Sequence, residues 1–405
     1  MDLSTRSYPF QRQRPFDQPE EFTWLRRNEP VCQVTMFNGA TAWLVTRLDD
    51  AKAVLADQRF SRRALREAAY ADFNSDPSAV QPGDSFDFGM SIAEPPGHTR
   101  WRRMVNKAFG ARHAESMRGR IVECVDEVLG DIAASGPPVD LIAAFAFRLP
   151  IRVLCELFGV PEGDRHHFLE WADAIRNVNS SLANFGAAQR LLGRYAGTLV
   201  AMKRRDPAGD ILSTLMTVRD ADGSALTDDE LVSSVLLLVV GGYETTGVQF
   251  GNGLFTLLRH QDQLARLERE AELLPAAVEE ILRHAQASTG FASAMRTTAD
   301  VEVGGVAIPA GSTVFVSIDS ANRDEAHFEC PEAFDLTRDP ASRHLAFGSG
   351  AHFCLGAQLA RVQLQEGFGR LLRRFPALRL AAEPEEVAFT SNLFAHYPRE
   401  LVATW

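Results

Sequence analysis

Apolar residues recur at helical spacing along most of this chain and alternate at strand spacing only in short pieces. The helical pattern predicts helices at about Pro19–Arg27, Leu48–Asp57, Thr99–Phe109, Ala114–Ala134, Pro161–Ala174, Ala187–Arg205, Thr227–Arg259, Ala276–His284 and Leu355–Arg374. Val31–Met36 with Thr41–Val45 reads as a hairpin, and so does Val301–Val303 with Val306–Ile308 across Gly304-Gly305. Thr313–Ser317 and the terminal Leu401–Trp405 read as further strands. Helices in excess, with small sheets segregated along the sequence, predict a mainly α, α+β architecture. No repeat, low-complexity tract or long linker divides the 405 residues, so one large domain over 1–405 is expected.

The longest predicted helix breaks its own rules. Thr227-Asp228-Asp229-Glu230 reads as a capping box at its start. The helix then runs ~32 residues, near ~48 Å, to about Arg259. Gly241-Gly242-Tyr243-Glu244-Thr245-Thr246 lies in its middle, directly after the apolar run Val235–Val240. Glycines and threonines are poor helix formers, and a carboxylate is costly beside so apolar a stretch. Such a combination points to a functional site where hydroxyls open the backbone ladder and admit water. The competing reading is a plain helix with a packing glycine.

Composition narrows the function. A formal charge of −11 argues against a general nucleic-acid binder and fits an acidic protein with a solvated surface. The five cysteines are scattered and never arranged as Cys-x-x-Cys, which argues against a disulfide framework or a zinc site and fits a reducing cytoplasm. The start of the sequence lacks a signal-like apolar stretch, and Val235–Val240 is far shorter than a bilayer span, so no membrane attachment is expected. No Gly-x-Gly-x-x-Gly joins a strand to a helix, so neither nicotinamide nor flavin binding is supported.

The most informative stretch is Phe347-Gly348-Ser349-Gly350-Ala351-His352-Phe353-Cys354-Leu355-Gly356. Zinc and iron–sulfur sites recruit several close ligands, and Cys354 has none nearby. A lone Cys in a glycine-rich loop leading into an amphipathic helix suits one axial position of haem iron, where the porphyrin supplies the other bonds. Gly348 and Gly350 would let the backbone approach the ring, and Gly356 would let the helix lie close to it. For an isolated Cys the plainer alternative is a small buried hydrophobe. The run resembles the haem-binding signature of the cytochrome P450 superfamily, Phe-Gly-x-Gly-x-His-x-Cys-x-Gly, at every specified position, and Gly241–Thr246 resembles its oxygen-activation motif.

The resemblance implies the cytochrome P450 fold and a haem-thiolate monooxygenase that uses dioxygen and two external electrons to hydroxylate or epoxidise a mainly apolar small molecule. The cofactor implied is haem b (iron protoporphyrin IX), with Cys354 on the iron and Phe347, Gly348 and Gly356 shaping its loop. Thr245 is implied to hydrogen-bond dioxygen and Glu244 to help deliver protons. His98, Arg102, Arg296 and His352 are the implied partners of the haem propionates. Glu280 and Arg283, three apart on one helix face, resemble the family's Glu-x-x-Arg pair, with Arg338 as the expected third member of a buried network; alone, such a pair is an ordinary surface contact.

Ferredoxin and ferredoxin reductase are the implied electron donors, docking where Arg102, Arg103, Lys107 and Arg361 supply positive charge. By position in the family pattern, substrate-facing segments fall at about 65–90, 176–189, 237–245, 289–293 and 392–394, with Leu237, Gly241, Phe291, Ala292 and Phe394 as pocket candidates. Alternatives within the resemblance are an atypical oxidation, such as coupling, rearrangement or a peroxide-driven reaction, and a haem-binding sensor without turnover.

Overall fold

The computed structural model describes residues 7–14, 17–36, 39–64, 94–176, 182–286, 293–339, 344–391 and 395–405, with backbone alone at 175–176, 182–186 and 391. In chain order the helices are α1 (Glu20–Asn28), α2 (Leu48–Ala56), α3 (Gly97–Ala108), α4 (Ala111–Ser116), α5 (Arg118–Ser135), α6 (Arg148–Phe158), α7 (Arg165–Arg176), α8 (Leu182–Arg205), α9 (Ile211–Thr217), α10 (Asp228–Arg259), α11 (Gln261–Arg269), α12 (Leu274–His284), α13 (Ile318–Ala321) and α14 (Ala357–Arg374). The strands are β1 (Ser7–Tyr8), β2 (Val31–Met36), β3 (Thr41–Val45), β4 (Phe60–Ser61), β5 (Val139–Asp140), β6 (Met295–Thr297), β7 (Val301–Val303), β8 (Val306–Ile308), β9 (Thr313–Val316), β10 (Arg379–Leu380), β11 (Phe389–Ser391), β12 (His396–Pro398) and β13 (Val402–Thr404).

The chain divides into two compact units. The first comprises Met1–Ser75, Asn252–Cys354 and Ala382–Arg399. Its main sheet has the order β1-β2-β3-β9-β6-β4. The expected β2–β3 hairpin is present, pairing Val31 with Val45 and Thr35 with Thr41. Beside it β9 runs parallel to β3, Trp43 opposite Val314. One face of this sheet packs on α2 through Val31, Val45, Leu48, Val54, Val314 and Val316. Leu25, Val34, Leu44 and Phe315 form a second core with α1. The hairpins β7–β8 and β11–β12 complete this unit.

The second unit comprises Asp76–Gly251, Leu355–Ala381 and Glu400–Trp405 and is largely helical. The rings of Phe145, Phe250 and Phe368 meet edge to face in its core. A Cβ on Gly367 would come within 2.5 Å of the Phe250 ring, so only glycine lets α14 lie this close to α10. The small sheet β10-β13-β5 belongs here and includes the expected terminal strand.

The capping box forms as expected. Thr227 N–H donates to Glu230 Oε2 at 2.8 Å, and Glu230 N–H donates to Thr227 Oγ1 at 3.2 Å. From there α10 runs 32 residues, Asp228–Gly251 in the second unit and Asn252–Arg259 in the first. Two expectations about it need correction. The ladder is not opened at Gly241–Thr246, where the helix stays continuous. The hydroxyl of Thr245 donates instead to the carbonyl of Gly241, one turn back, an added bond that leaves the helix intact. Second, the whole helix, unlike the short run Val235–Val240, is long and apolar enough by length and composition to cross a membrane, and half of its apolar window is buried inside the protein.

Candidate active site

In the first unit the Cys354 loop is built by turns. Gly348 N–H donates to Leu345 O at 2.8 Å, and Cys354 N–H donates to Phe347 O at 2.9 Å, closing the loop on itself. Gly348 and Gly350 both take left-handed φ, +71° and +70°, which other residues adopt at a cost. Their surroundings differ. A Cβ on Gly350 would fall 2.4 Å from Leu55 O and 2.8 Å from Ala56 Cα. The close approach expected of Gly350 is therefore to the backbone at the end of α2. At Gly348 and Gly356 a Cβ would meet nothing within 4 Å, so these two glycines mark the open sides of the loop. Cys354 itself is exposed.

Behind the loop, Glu280 and Arg283 on α12 are 3% and 1% exposed. Arg283 donates to both carboxylate oxygens of Glu280 at 2.7 Å, and Arg338 Nε donates to Glu280 Oε2 at 3.1 Å. Glu280 Oε1 also accepts Asp335 N–H at 3.0 Å. Arg283 Nη1 donates to the carbonyls of Asn322 and Pro331, and Nη2 donates to Ala333 O as well as to Glu280. The three side chains read from the sequence thus meet in one network, with Glu280 and Arg283 buried and Arg338 half-buried.

That network reaches the Cys354 loop through Asn322, and His344 braces the same stretch separately from Glu279 of α12; sequence reasoning missed both. Asn322 offers its carbonyl to Arg283 and its side-chain oxygen to Leu345 N–H, the latter at 2.6 Å. His344 accepts Ala346 N–H on Nδ1 at 3.2 Å, which leaves its proton on Nε2 to donate to Glu279 Oε2 at 3.1 Å. Leu345 then accepts the Gly348 N–H that shapes the turn. Neither residue belongs to a motif read from the sequence; an Asn and a His of this kind are recognisable only once the chain is folded. Arg296 lies in β6 opposite Ser61 of β4, and His352 occupies the short helical turn before Cys354.

In the second unit, α3 is pinned to the start of α10. Trp101 Nε1 donates to Ser234 Oγ at 2.9 Å, and Arg100 Nη1 donates to Glu230 Oε1 at 2.7 Å, so the capping glutamate serves both helices. This fixes His98, 2% exposed, and Arg102 one turn along α3. On α10, Leu237 and Glu244 are half-buried, whereas Gly241 and Thr245 are exposed. Tyr243 is buried between them and donates to Asp173 of α7. Phe291, Ala292 and Phe394, and the segment 65–90, lie outside the described residues.

Two of the cations expected to dock an electron donor are engaged within the chain. Arg103 makes a two-pronged pair with Asp220 at 2.8 and 2.7 Å, holding that carboxyl below its usual range, and Lys107 donates to Arg219 O at 2.9 Å.

Comparison with known proteins decides the family. The cytochrome P450 family model matches residues 187–395. The chain belongs to the cytochrome P450 family. This P450 is 40% identical to nocardicin C N-oxygenase of Nocardia uniformis subsp. tsuyamanensis, over 99% of both chains. It is 39% identical to 6-deoxyerythronolide B hydroxylase of Saccharopolyspora erythraea, over 91% of each. The solved LnmA cytochrome P450 hydroxylase from the leinamycin pathway of Streptomyces atroolivaceus superposes with a TM-score of 0.88 at 36% identity, covering 99% of this chain and 100% of that one. The protein is accordingly a haem-iron monooxygenase with the P450 fold.

Its residues suit that group. Among the described residues no cluster of three or more His, Cys, Asp or Glu is placed to hold a metal ion. The exposed Cys354, on a loop with open space at Gly348 and Gly356, matches a metal that brings most of its own ligands.

Proposed function

We propose that the whole chain, 1–405, works as one catalytic domain that inserts an oxygen atom into a mainly apolar small molecule of natural-product biosynthesis, with Cys354 as the thiolate ligand of haem b. The named products of its relatives, from nocardicin C to the erythronolide ring, support that substrate class. The observation that carries the reading is the Cys354 loop, with its two left-handed glycines, its Phe347 closure and its open sides. Bound there, the haem iron supplies the binding and two-electron reduction of dioxygen.

The chain's own residues do the rest. Phe347 and Gly348 hold the thiol at the mouth of the loop. The Glu280–Arg283–Arg338 network acts on the loop through Asn322 and Leu345 and is a positioning device. His98, Arg102, Arg296 and His352 meet the propionates, and Leu237, Gly241, Phe291, Ala292 and Phe394 line the substrate pocket. Thr245 holds a proton at its hydroxyl, now parked on Gly241 O, and Glu244 takes up protons from solvent to replace it. One oxygen atom goes to substrate and the other leaves as water, which consumes two electrons and two protons. We assign the electrons to ferredoxin and its reductase and the protein to the cytoplasm. We assign ferredoxin docking to Arg102, Arg103, Lys107 and Arg361, of which Arg103 and Lys107 are also bonded to Asp220 and Arg219 within the chain.

The deciding experiment is the carbon monoxide difference spectrum of the reduced protein. A strongly red-shifted Soret band in the wild type, absent in Cys354→Ala, is expected; an unshifted band in the wild type would refute the thiolate assignment. Thr245→Ala should keep that band yet form at least about ten-fold less product per electron pair, the balance appearing as hydrogen peroxide. Unchanged coupling in Thr245→Ala would remove Thr245 from proton delivery.

A further inference from the structure

Arginines of the first unit are mostly paired. Arg59 bonds Asp57, Arg323 bonds Asp319, and Arg283 and Arg338 share Glu280. Two side chains, one just after β4 and one on the adjoining β6, are not, among the described residues. Arg62 directly follows β4, and its Nε is shut off from solvent with no hydrogen-bond partner. Arg296, on β6, faces Ser61 across the ladder, and its side chain likewise has no ion pair or hydrogen bond among the described residues. Its guanidinium lies beside the Gly311 turn, where an added Cβ would stand 3.6 Å from Nη2. Arg62 begins a helical turn closed by Ala64 N–H on Ser61 Oγ at 2.8 Å, so its side chain is released from the alternation of the strand.

A guanidinium does not shed its proton at ordinary pH, so it cannot escape burial by neutralising. Leaving its shielded Nε without an acceptor costs the full desolvation of that group. Desolvation indeed holds the Arg62 guanidinium below its usual value. Among the described residues none supplies that acceptor, which leaves the place open to a ligand. A planar fork of N–H donors is best met by a carboxylate, which takes two of them at once. One carboxylate, or two side by side, would serve both arginines.

We propose that Arg62 and Arg296 form a carboxylate-binding pair, with Arg62 the member no motif reveals. The carboxylate is either a haem propionate, which rests on the haem reading above, or an acid group of the substrate, which does not. The haem-loaded protein is compared as wild type, Arg62→Gln, Arg62→Lys and Arg62→Met, with the exposed neighbour Arg63→Gln as control. Haem transfer to excess apomyoglobin is followed at the Soret band without substrate, and dodecanoic acid and dodecanol binding are measured by calorimetry.

If the partner is a propionate, Arg62→Gln loses haem about ten-fold faster, Arg62→Lys restores retention, and Arg63→Gln matches wild type. If it is a substrate acid, haem retention is unchanged, while Arg62→Gln binds dodecanoic acid about ten-fold more weakly and dodecanol as before. Should Arg62→Gln fold poorly, Arg62→Met reports the same two quantities, because an apolar replacement relieves the buried charge. Wild-type haem retention together with wild-type discrimination between acid and alcohol, in either variant, overturns the proposal. A wild type without a thiolate-type carbon monoxide band instead refutes the haem reading, and the calorimetry still tests the pair.

Discussion

At the scale of single residues, Gly350 carries the sharpest constraint in the Cys354 loop. Gly350→Ala combines a left-handed φ with a Cβ 2.4 Å from Leu55 O, an atom of backbone that cannot swing away. Strain and overpacking together should cost about 2–4 kcal/mol. Thermal unfolding read at the Soret band should show it, whereas an alanine tolerated within about 0.5 kcal/mol would mean that the end of α2 yields. The sequence motif marked this glycine as special but did not reveal its close approach to the end of α2, because a glycine's neighbour across the fold leaves no trace in its own segment. Glu280 and Arg283 show the opposite case. Their spacing alone is that of a solvated pair, yet both are buried. Arg283→Ala leaves a buried carboxylate with half its partners and should cost about 3–5 kcal/mol, seen as loss of folded, haem-retaining protein.

At the scale of elements, the sequence was most legible where a cap and a period agreed. Thr227 and Glu230 mark the start of α10 to within a residue, and Gly304-Gly305 marks the β7–β8 turn. Thr227→Ala should cost about 1 kcal/mol in chemical denaturation through loss of one capping bond. Legibility was poorest where the polar face is narrow. In α6, Leu149, Ile151, Val153, Leu154, Leu157 and Phe158 are all buried, and only the thin stripe Arg148, Arg152 and Glu156, one residue per turn, carries the helical period. The stretch read as one helix at 114–134 is two, α4 and α5, which meet at Met117, the C-cap of one and the N-cap of the other. Between elements, the hydroxyl of Tyr243 ties α10 to α7 through Asp173. Tyr243→Phe should lower stability by about 1–2 kcal/mol, measurable by urea denaturation, and an unchanged midpoint would show that bond to be idle.

At the scale of the whole molecule, stability should decline on acidification well before carboxylates titrate. Burial, reinforced by the charges of Arg323 and Arg283, holds His284 well below the ordinary histidine value. Its neutral ring donates Nε2–H to Glu332 O at 3.1 Å. A folded value below the unfolded one means that the unfolded chain binds the extra proton. This contribution is therefore complete above about pH 6.5 and is lost progressively below it. The slope is at most about 1.4 kcal/mol per pH unit, reduced by whatever solvent reaches the ring edge. Unfolding free energies from pH 7.5 to 5 should show this slope in wild type and a flatter one in His284→Gln; parallel curves would exclude His284 as the source.

The β3–β9 pairing sets a timetable for biosynthesis. Trp43 emerges from the ribosome long before its partner Val314 exists. At typical elongation rates of about 5–20 residues per second, the wait is roughly 15–50 s. Throughout it the β2–β3 hairpin presents an unpaired apolar edge, a template for another nascent chain. Yield of this enzyme in a foreign host should depend less on final stability than on how that edge is shielded during translation, so slower growth or added chaperones should raise the soluble fraction more than a stabilising mutation in the helical unit.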